Sequence, residues 1–418
     1  MKKTTTLLKL PLLLFLFGLM LQGCLKDTCS KTMTMFTPVY KTTAEVRANI
    51  KNNPAEAIKN PGKMFVLGNY IFLNEVDKGI HIIDNSNPSS PVNKYFVNIP
   101  GNIDLAVHGN TLYADLYSDM VTIDITDPAA ISVKKIIEDA FPFRRYANGF
   151  IADNSKVIVD WIQKDTVVDC STGWYNRNML YMDFSSSAVQ SGNSSAAAVK
   201  GISGSMARFT LLNDYLYTVT DNMLNVFNIS QPQNPVFSSK VNVGWNIETI
   251  YPFKNNLFIG STTGMFIYGT ANPAQPNMVS MFSHIRSCDP VIADDDFAYV
   301  TLRSGTACAG FTNQLDVLNI QNLESPTLVK SIALTNPHGL SKDGNLLFIC
   351  DGSAGLKVFN AADFNHIEQV STVAGFETYD VITFNKLAIV VATDGLYQYN
   401  YDNPANLKLL SKISITKN

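Results

Sequence analysis

Six ionisable side chains recur at one register of a repeating pattern: Asp104, Arg208, Glu248, Asp289, His338 and Asp380. Each lies at the start of the first strand of its repeat, where ring-shaped repeat folds converge on a central channel. Such a ring can hold a cation, a sugar or a peptide terminus, or its members can pair with one another and with water. Acid–base work on a glycosidic bond needs two carboxylates about 5–9 Å apart, for which Asp104, Asp289 and Asp380 are the candidates. Their local sequence does not mark them for that task. His338, in Asn336-Pro337-His338-Gly339, reads as a hydrogen-bonded channel residue.

A second group lies on one long insertion: Trp161, Trp174, Tyr175 and Arg177. Insertions in repeat proteins fall on one face, often the binding face, and aromatic rings stack on sugars or fill partner pockets. Phe141-Pro142-Phe143-Arg144-Arg145 precedes the insertion and belongs to the same rim. Other chemistry is missing from the sequence. Asp294-Asp295-Asp296 lacks the glycine and terminal glutamate of a calcium loop and reads as a turn. There is no Gly-rich phosphate loop, no GxSxG elbow, no HExxH, no CxxC and no two-histidine metal spacing. No cofactor and no metal are expected.

The elements that position these residues come from a phrase that returns eight times. It begins at Asp84, Asp124, Asp183, Asn228, Gly269, Asn319, Asn360 and Asn400, at spacings of 40 to 59 residues. A typical example is DNSNPSSP, in which Asx side chains cap their own backbone and proline fixes φ. Residues 103–138 split into four short strands bounded by turn residues, which describes a propeller blade. Closure of the array into a ring removes exposed sheet edges. Counting phrases predicts an all-β propeller of eight blades, with seven the alternative if the irregular repeat over 147–200 or an end repeat is not a full blade. Thr42 and Glu45 form a capping-box pattern, which predicts a helix of about ten residues ending at Asn52-Asn53-Pro54.

The N-terminus reads as a targeting segment. Lys2 and Lys3 precede an apolar run from Leu7 to Leu21 that ends in Leu21-Gln22-Gly23-Cys24. This resembles the lipobox of bacterial lipoproteins, in which the cysteine becomes the acylated mature N-terminus. The resemblance implies a signal peptide over 1–23, a lipid-carrying Cys24 and a membrane anchor. Leu25-Lys26-Asp27 favours the outer membrane with the protein facing outward, a periplasmic face being the alternative. Removing Lys2, Lys3 and Lys9 from 32 basic residues leaves 29 against 35 acidic ones, a net charge of −6. That balance argues against nucleic acid as a partner. In an oxidising compartment, Cys288 and Cys308, which flank one strand, read as a disulfide. Cys29 and Cys170 form a second candidate pair, and Cys350 reads as a small buried hydrophobe.

GIHIIDNSNPSSP, MVTIDITDP, LNVFNISQPQNP and LDVLNIQNLESP resemble the LVIVD repeat, over residues 63 to about 418. The resemblance implies a β-propeller outside the cytoplasm with no established enzymatic activity. It also gives the organisation expected here: signal peptide 1–23, a tether with a short helix over 24–62, and the propeller over 63–418. The expected function is a lipid-anchored module that binds a protein or glycan without catalysis. A polysaccharide lyase or hydrolase using channel carboxylates is the alternative, and a purely structural envelope role is third.

Overall fold

A computed structural model describes residues 30–144, 146, 155–169, 202–284, 290–305 and 312–416. The chain divides into two compact units. The smaller includes most of a two-stranded ribbon formed by Ser30–Thr42 and Lys156–Asp169. The larger is a closed ring of seven four-stranded antiparallel blades. Blade 1 spans residues 61–98 and blade 2 residues 105–137. Blades 3 to 7 span 209–242, 247–283, 291–333, 340–373 and 378–414.

The eight-blade expectation is therefore corrected to seven. The described residues between blades 2 and 3 form no four-stranded blade. The third phrase, at Asp183, lies outside the described residues. In six of the seven blades the first residue of the phrase forms the expected turn. Asp84, Asp124, Asn228, Asn319, Asn360 and Asn400 each accept the amide two residues on, at 2.9–3.1 Å. Blade 4 has Gly269 in that place, and Thr270 bonds to the Asn255 carbonyl instead.

The burial pattern follows from the ring. Second strands such as Tyr70–Glu75 and Leu346–Cys350 are almost wholly buried because a neighbouring blade covers each of their faces. Outermost strands such as Val236–Asn242 meet solvent and are mostly exposed. Cys350 sits in the core between blades 6 and 7 with its thiol free, and burial raises the thiol pKa well above its usual value.

Each blade is tied to the next near its rim. Lys135 bonds to the Pro235 carbonyl, Ser239 to Ala274, Ser280 to Leu323, Lys330 to Asn365, Ser371 to Pro404 and Ser411 to Pro88. The last of these closes the ring from blade 7 to blade 1. A buried reciprocal amide pair, Asn85 with Gln398 at 2.9 and 2.6 Å, reinforces it. The step from blade 1 to blade 2 uses a different donor. Strand Lys51–Pro54 adds to the outer edge of blade 1, and its Asn52 bonds to the carbonyls of Pro128 and Ala129.

That added strand shortens the expected helix, which runs only over Thr43–Arg47. The Thr42–Glu45 capping box is present. The outer strand of blade 1 offers unpaired backbone groups, and extended 51–54 satisfies them where a continued helix would leave an open edge. The helix is held to blade 2 by Arg47, paired with Asp119 at 2.7 Å and Glu138 at 2.9 Å. Among the described residues no helix is long and apolar enough to cross a membrane.

Candidate functional site

The first strands of the blades begin at one rim of the ring, and the ionisable residues at those positions converge there. Asp104 immediately precedes its strand Leu105–His108, and Arg208 precedes Phe209–Leu212. Glu248 lies within Ile247–Phe253 and Asp380 within Thr378–Phe384. His338 stands two residues before Leu340–Asp343. Asp289 lies outside the described residues. Sequence reasoning missed Lys63, at the same register of blade 1 within Pro61–Leu67. It also missed Arg303, just after the second strand of blade 5, Phe297–Leu302. Alignment of the first blade to the others was the signal available for Lys63. Arg303 follows a different strand and had none.

Lys63 is the electrostatic hub. Its side chain is buried, and burial pulls its pKa down to about 7 against the pull of Asp104, Asp380 and Glu248. Burial pushes Asp104 and Asp380 up to about 7, and in each Lys63 opposes the rise. Asp104 accepts the Arg208 amide at 2.6 Å and the Leu105 amide at 2.7 Å. Asp380 accepts the Val381 amide at 3.0 Å through Oδ1, and the Ser205 backbone N–H, within reach of the same carboxylate, opposes the rise in its pKa.

The channel is not open past these groups. After the long insertion the chain returns as residues 202–208 and crosses the ring. Ile202 and Ser203 pair with Val66 and Phe65, adding an inner strand to blade 1. The Gly204 amide donates to the Met64 carbonyl at 3.4 Å. Ser205 Oγ accepts the Leu340 amide of blade 6 at 2.7 Å. The Ala207 carbonyl accepts the Ile250 amide of blade 4 at 3.1 Å. Residues 204–207 are all buried. The Asp380 carboxylate is seated between two glycines: a Cβ at Gly204 would lie 2.0 Å from Oδ2, and one at Gly339 2.0 Å from Oδ1. Only glycine permits that approach.

Glu248, Arg303, His338 and Tyr379 lie within electrostatic range of one another: Glu248 and Tyr379 act on Arg303, and Arg303 acts on His338. The His338 ring meets Tyr379 edge-on at 5.3 Å. Asn336 Nδ2 lies 3.2 Å from His338 Nε2, the other ring nitrogen being Nδ1. That Nδ1 is buried without a partner, as is Arg208 Nε. Burial, aided by the Arg303 charge, pushes the His338 pKa down to about 3, so the ring is neutral near pH 7. Burial lowers the Arg303 pKa, against the opposing influence of Glu248 and Tyr379.

The other candidates lie elsewhere. Trp161 belongs to the smaller unit, half-buried, with its ring 5.5 Å from Tyr146 in an edge contact. Trp174, Tyr175, Arg177, Cys24, Cys29, Cys170, Cys288 and Cys308 lie outside the described residues. Arg144 spans blades 1 and 2, bonded to Asp77 and the Gly101 carbonyl and stacked 4.8 Å from the Tyr117 ring. Asp294 closes a turn by accepting the amides of Asp296 and Phe297 and pairs with Lys342 at 2.8 Å. Among the described residues no cluster could hold a metal ion. At the opposite rim, turn 108–111 of blade 2 and loop 231–234 of blade 3 line a shallow groove of about 440 Å³.

Comparison with known proteins agrees with this architecture. The LVIVD repeat matches residues 62–98, 102–139 and 203–243, which correspond to blades 1, 2 and 3. The chain thus carries LVIVD repeats folded as propeller blades. No curated protein matches the chain as a whole. Among solved structures, the Pseudomonas aeruginosa periplasmic gluconolactonase is similar at 13% identity and TM-score 0.54, over 85% of this chain and 97% of that one. A protein from Lactobacillus plantarum is similar at 12% identity and TM-score 0.51, over 85% and 97%. A computationally designed protein is similar at 8% identity and TM-score 0.51, over 88% and 91%. Identities this low establish the fold alone.

Proposed function

We propose that this LVIVD-repeat propeller is a binding module of the bacterial envelope, anchored through an acylated Cys24 in the outer membrane and facing outward. It presents one rim to a protein or glycan partner and catalyses no reaction. The observation that carries this reading is the segment 202–208 lying across the channel. Asp104 and Asp380 are covered by the chain's own backbone and balanced by Lys63. A polysaccharide enzyme needs its acid and base exposed to a sugar chain and to water. What remains for a ligand is the rim, where polar and aromatic side chains are partly exposed.

The test is crosslinking on intact cells that express the full chain, followed by identification of the captured partner, with Cys24→Ser as the control. A specific partner lost when Cys24→Ser releases the protein from the membrane fraction supports the reading. Turnover of an envelope polysaccharide by the purified full chain, abolished in Asp380→Asn, would replace it with the enzyme reading. Membrane retention of Cys24→Ser would remove the anchor from it.

A further inference from the structure

Six of the seven outermost strands carry a charged side chain. Lys94, Lys134, Lys240, Lys330, Glu368 and Lys412 stand on the outer strands of blades 1, 2, 3, 5, 6 and 7. Blade 4 is the exception: its outer strand, Asn277–Ser283, reads NMVSMFS and holds no charge. An unpaired strand edge is a template for another chain, and charged side chains, lysine above all, guard against that pairing. Asn277–Ser283 pairs on its inner side with Gly264–Gly269, and among the described residues no strand pairs with its outer side. Met278 is 56% exposed and Met281 41% exposed. Phe237 on the outer strand of blade 3 and Leu328 on that of blade 5 are exposed too, so an apolar band runs over three consecutive blades.

The chain itself shows that such an edge accepts a strand. In blade 1 the added strand Lys51–Pro54 pairs with Tyr95–Asn98, the stretch that follows the bulge in the outer strand. Blade 4 repeats that register. Gly264 faces Ser283 as Gly79 faces Asn98, and the bulge precedes Ser280 as it precedes Tyr95. Ser280–Ser283 thus has the geometry that takes four added residues in blade 1.

Charge and symmetry name the occupant. Of the seven outer strands, only Asn277–Ser283 offers an open edge without bringing a charge to it, and a second copy supplies that same edge. A two-fold axis pairs the strand antiparallel with itself, so one contact closes both open edges. The chain carries a net charge of −3, and an uncharged strand is where two copies approach without like charges meeting.

We propose that the protein forms a two-fold dimer by antiparallel pairing of the Ser280–Ser283 edges of blade 4, flanked by the exposed apolar side chains of blades 3 and 5. The dimer goes beyond the binding reading above and does not depend on the Cys24 anchor.

Sedimentation velocity of the full chain in detergent tests it, with the detergent concentration varied to separate protein contact from shared micelles. The wild type should sediment at twice the chain mass. Met281→Lys puts a lysine where blades 3 and 7 carry Lys240 and Lys412, so the fold accommodates it. It brings like charges together across the axis and should raise the dissociation constant about tenfold or more. Thr372→Lys, at the same position of blade 6, should leave the dimer unchanged. Hydrogen exchange gives a second reading: amides over 280–283 should exchange faster in Met281→Lys than in the wild type, with those of 95–98 unaltered. A wild type that stays monomeric up to about 0.1 mM overturns the proposal. So does a dimer that Met281→Lys leaves intact, or one that Thr372→Lys weakens as much.

Discussion

The segment crossing the channel makes a sharp prediction at Gly204. A Cβ there would stand 2.0 Å from Asp380 Oδ2, about 1.4 Å short of the 3.4 Å at which ordinary contact begins. Either the carboxylate or the segment must move. The carboxylate is blocked on its other side by Gly339, so the segment yields. Its displacement strains the bonds that seat it, Gly204 to Met64 and Leu340 to Ser205. Overpacking costs about 1–3 kcal/mol and a broken buried hydrogen bond about 1–3 kcal/mol, so Gly204→Ala should destabilise by about 2–5 kcal/mol. At about 2–4 °C per kcal/mol, the melting temperature falls by on the order of 5–15 °C. Thermal unfolding followed by near-ultraviolet circular dichroism reads this at fixed pH. Replacing Asp380 with Ser in the same chain removes the clash, so the double-mutant cycle should return a coupling of about 1–3 kcal/mol. A melting temperature for Gly204→Ala within about 2 °C of wild type, or additive effects in the cycle, would refute the seating of residues 202–208 on Asp380.

The buried cluster gives a pH signature. Burial holds Asp104 and Asp380 up to about 7, so between the usual carboxylate range and 7 the native state keeps protons the unfolded chain has released, and stability falls as pH rises. Burial also brings Lys63 down to about 7, so between 7 and the usual lysine range stability recovers as pH rises further. Asp380→Asn should flatten the fall between about pH 5 and 7, and parallel melting curves for the two proteins across that window would contradict the assignment. The amide pair that latches blade 7 to blade 1 predicts that Gln398→Leu leaves Asn85 buried and unsatisfied, at a cost of about 1–3 kcal/mol in denaturant unfolding. Asn85→Leu in the same chain should recover part of that loss. Thr42→Ala removes the helix cap and should speed amide exchange over 43–47, with a local cost of about 1 kcal/mol and little change in the global transition.

The repeat phrase determined most of this architecture from sequence. Two Asx side chains bound to their own backbone and a proline make a local turn that needs no help from the rest of the chain, so its recurrence reports blades directly. The register of Asp104, Arg208, Glu248, His338 and Asp380 was legible for the same reason, because strand starts are fixed by adjacent turns. The capping box was equally local, and the helix began where it indicated. Its length was decided by a remote partner, the unpaired edge of blade 1, whose backbone offered 51–54 more than a further helical turn did. The blade count depended on closure: the seven blades that complete the ring leave the segment after blade 2 no place in it, and it returned across the channel instead. Likewise Lys63 and Arg303 acquired their roles only from groups far away in sequence. Local hydrogen bonding is written in a few consecutive residues, whereas burial and charge balance depend on what tertiary packing brings within range.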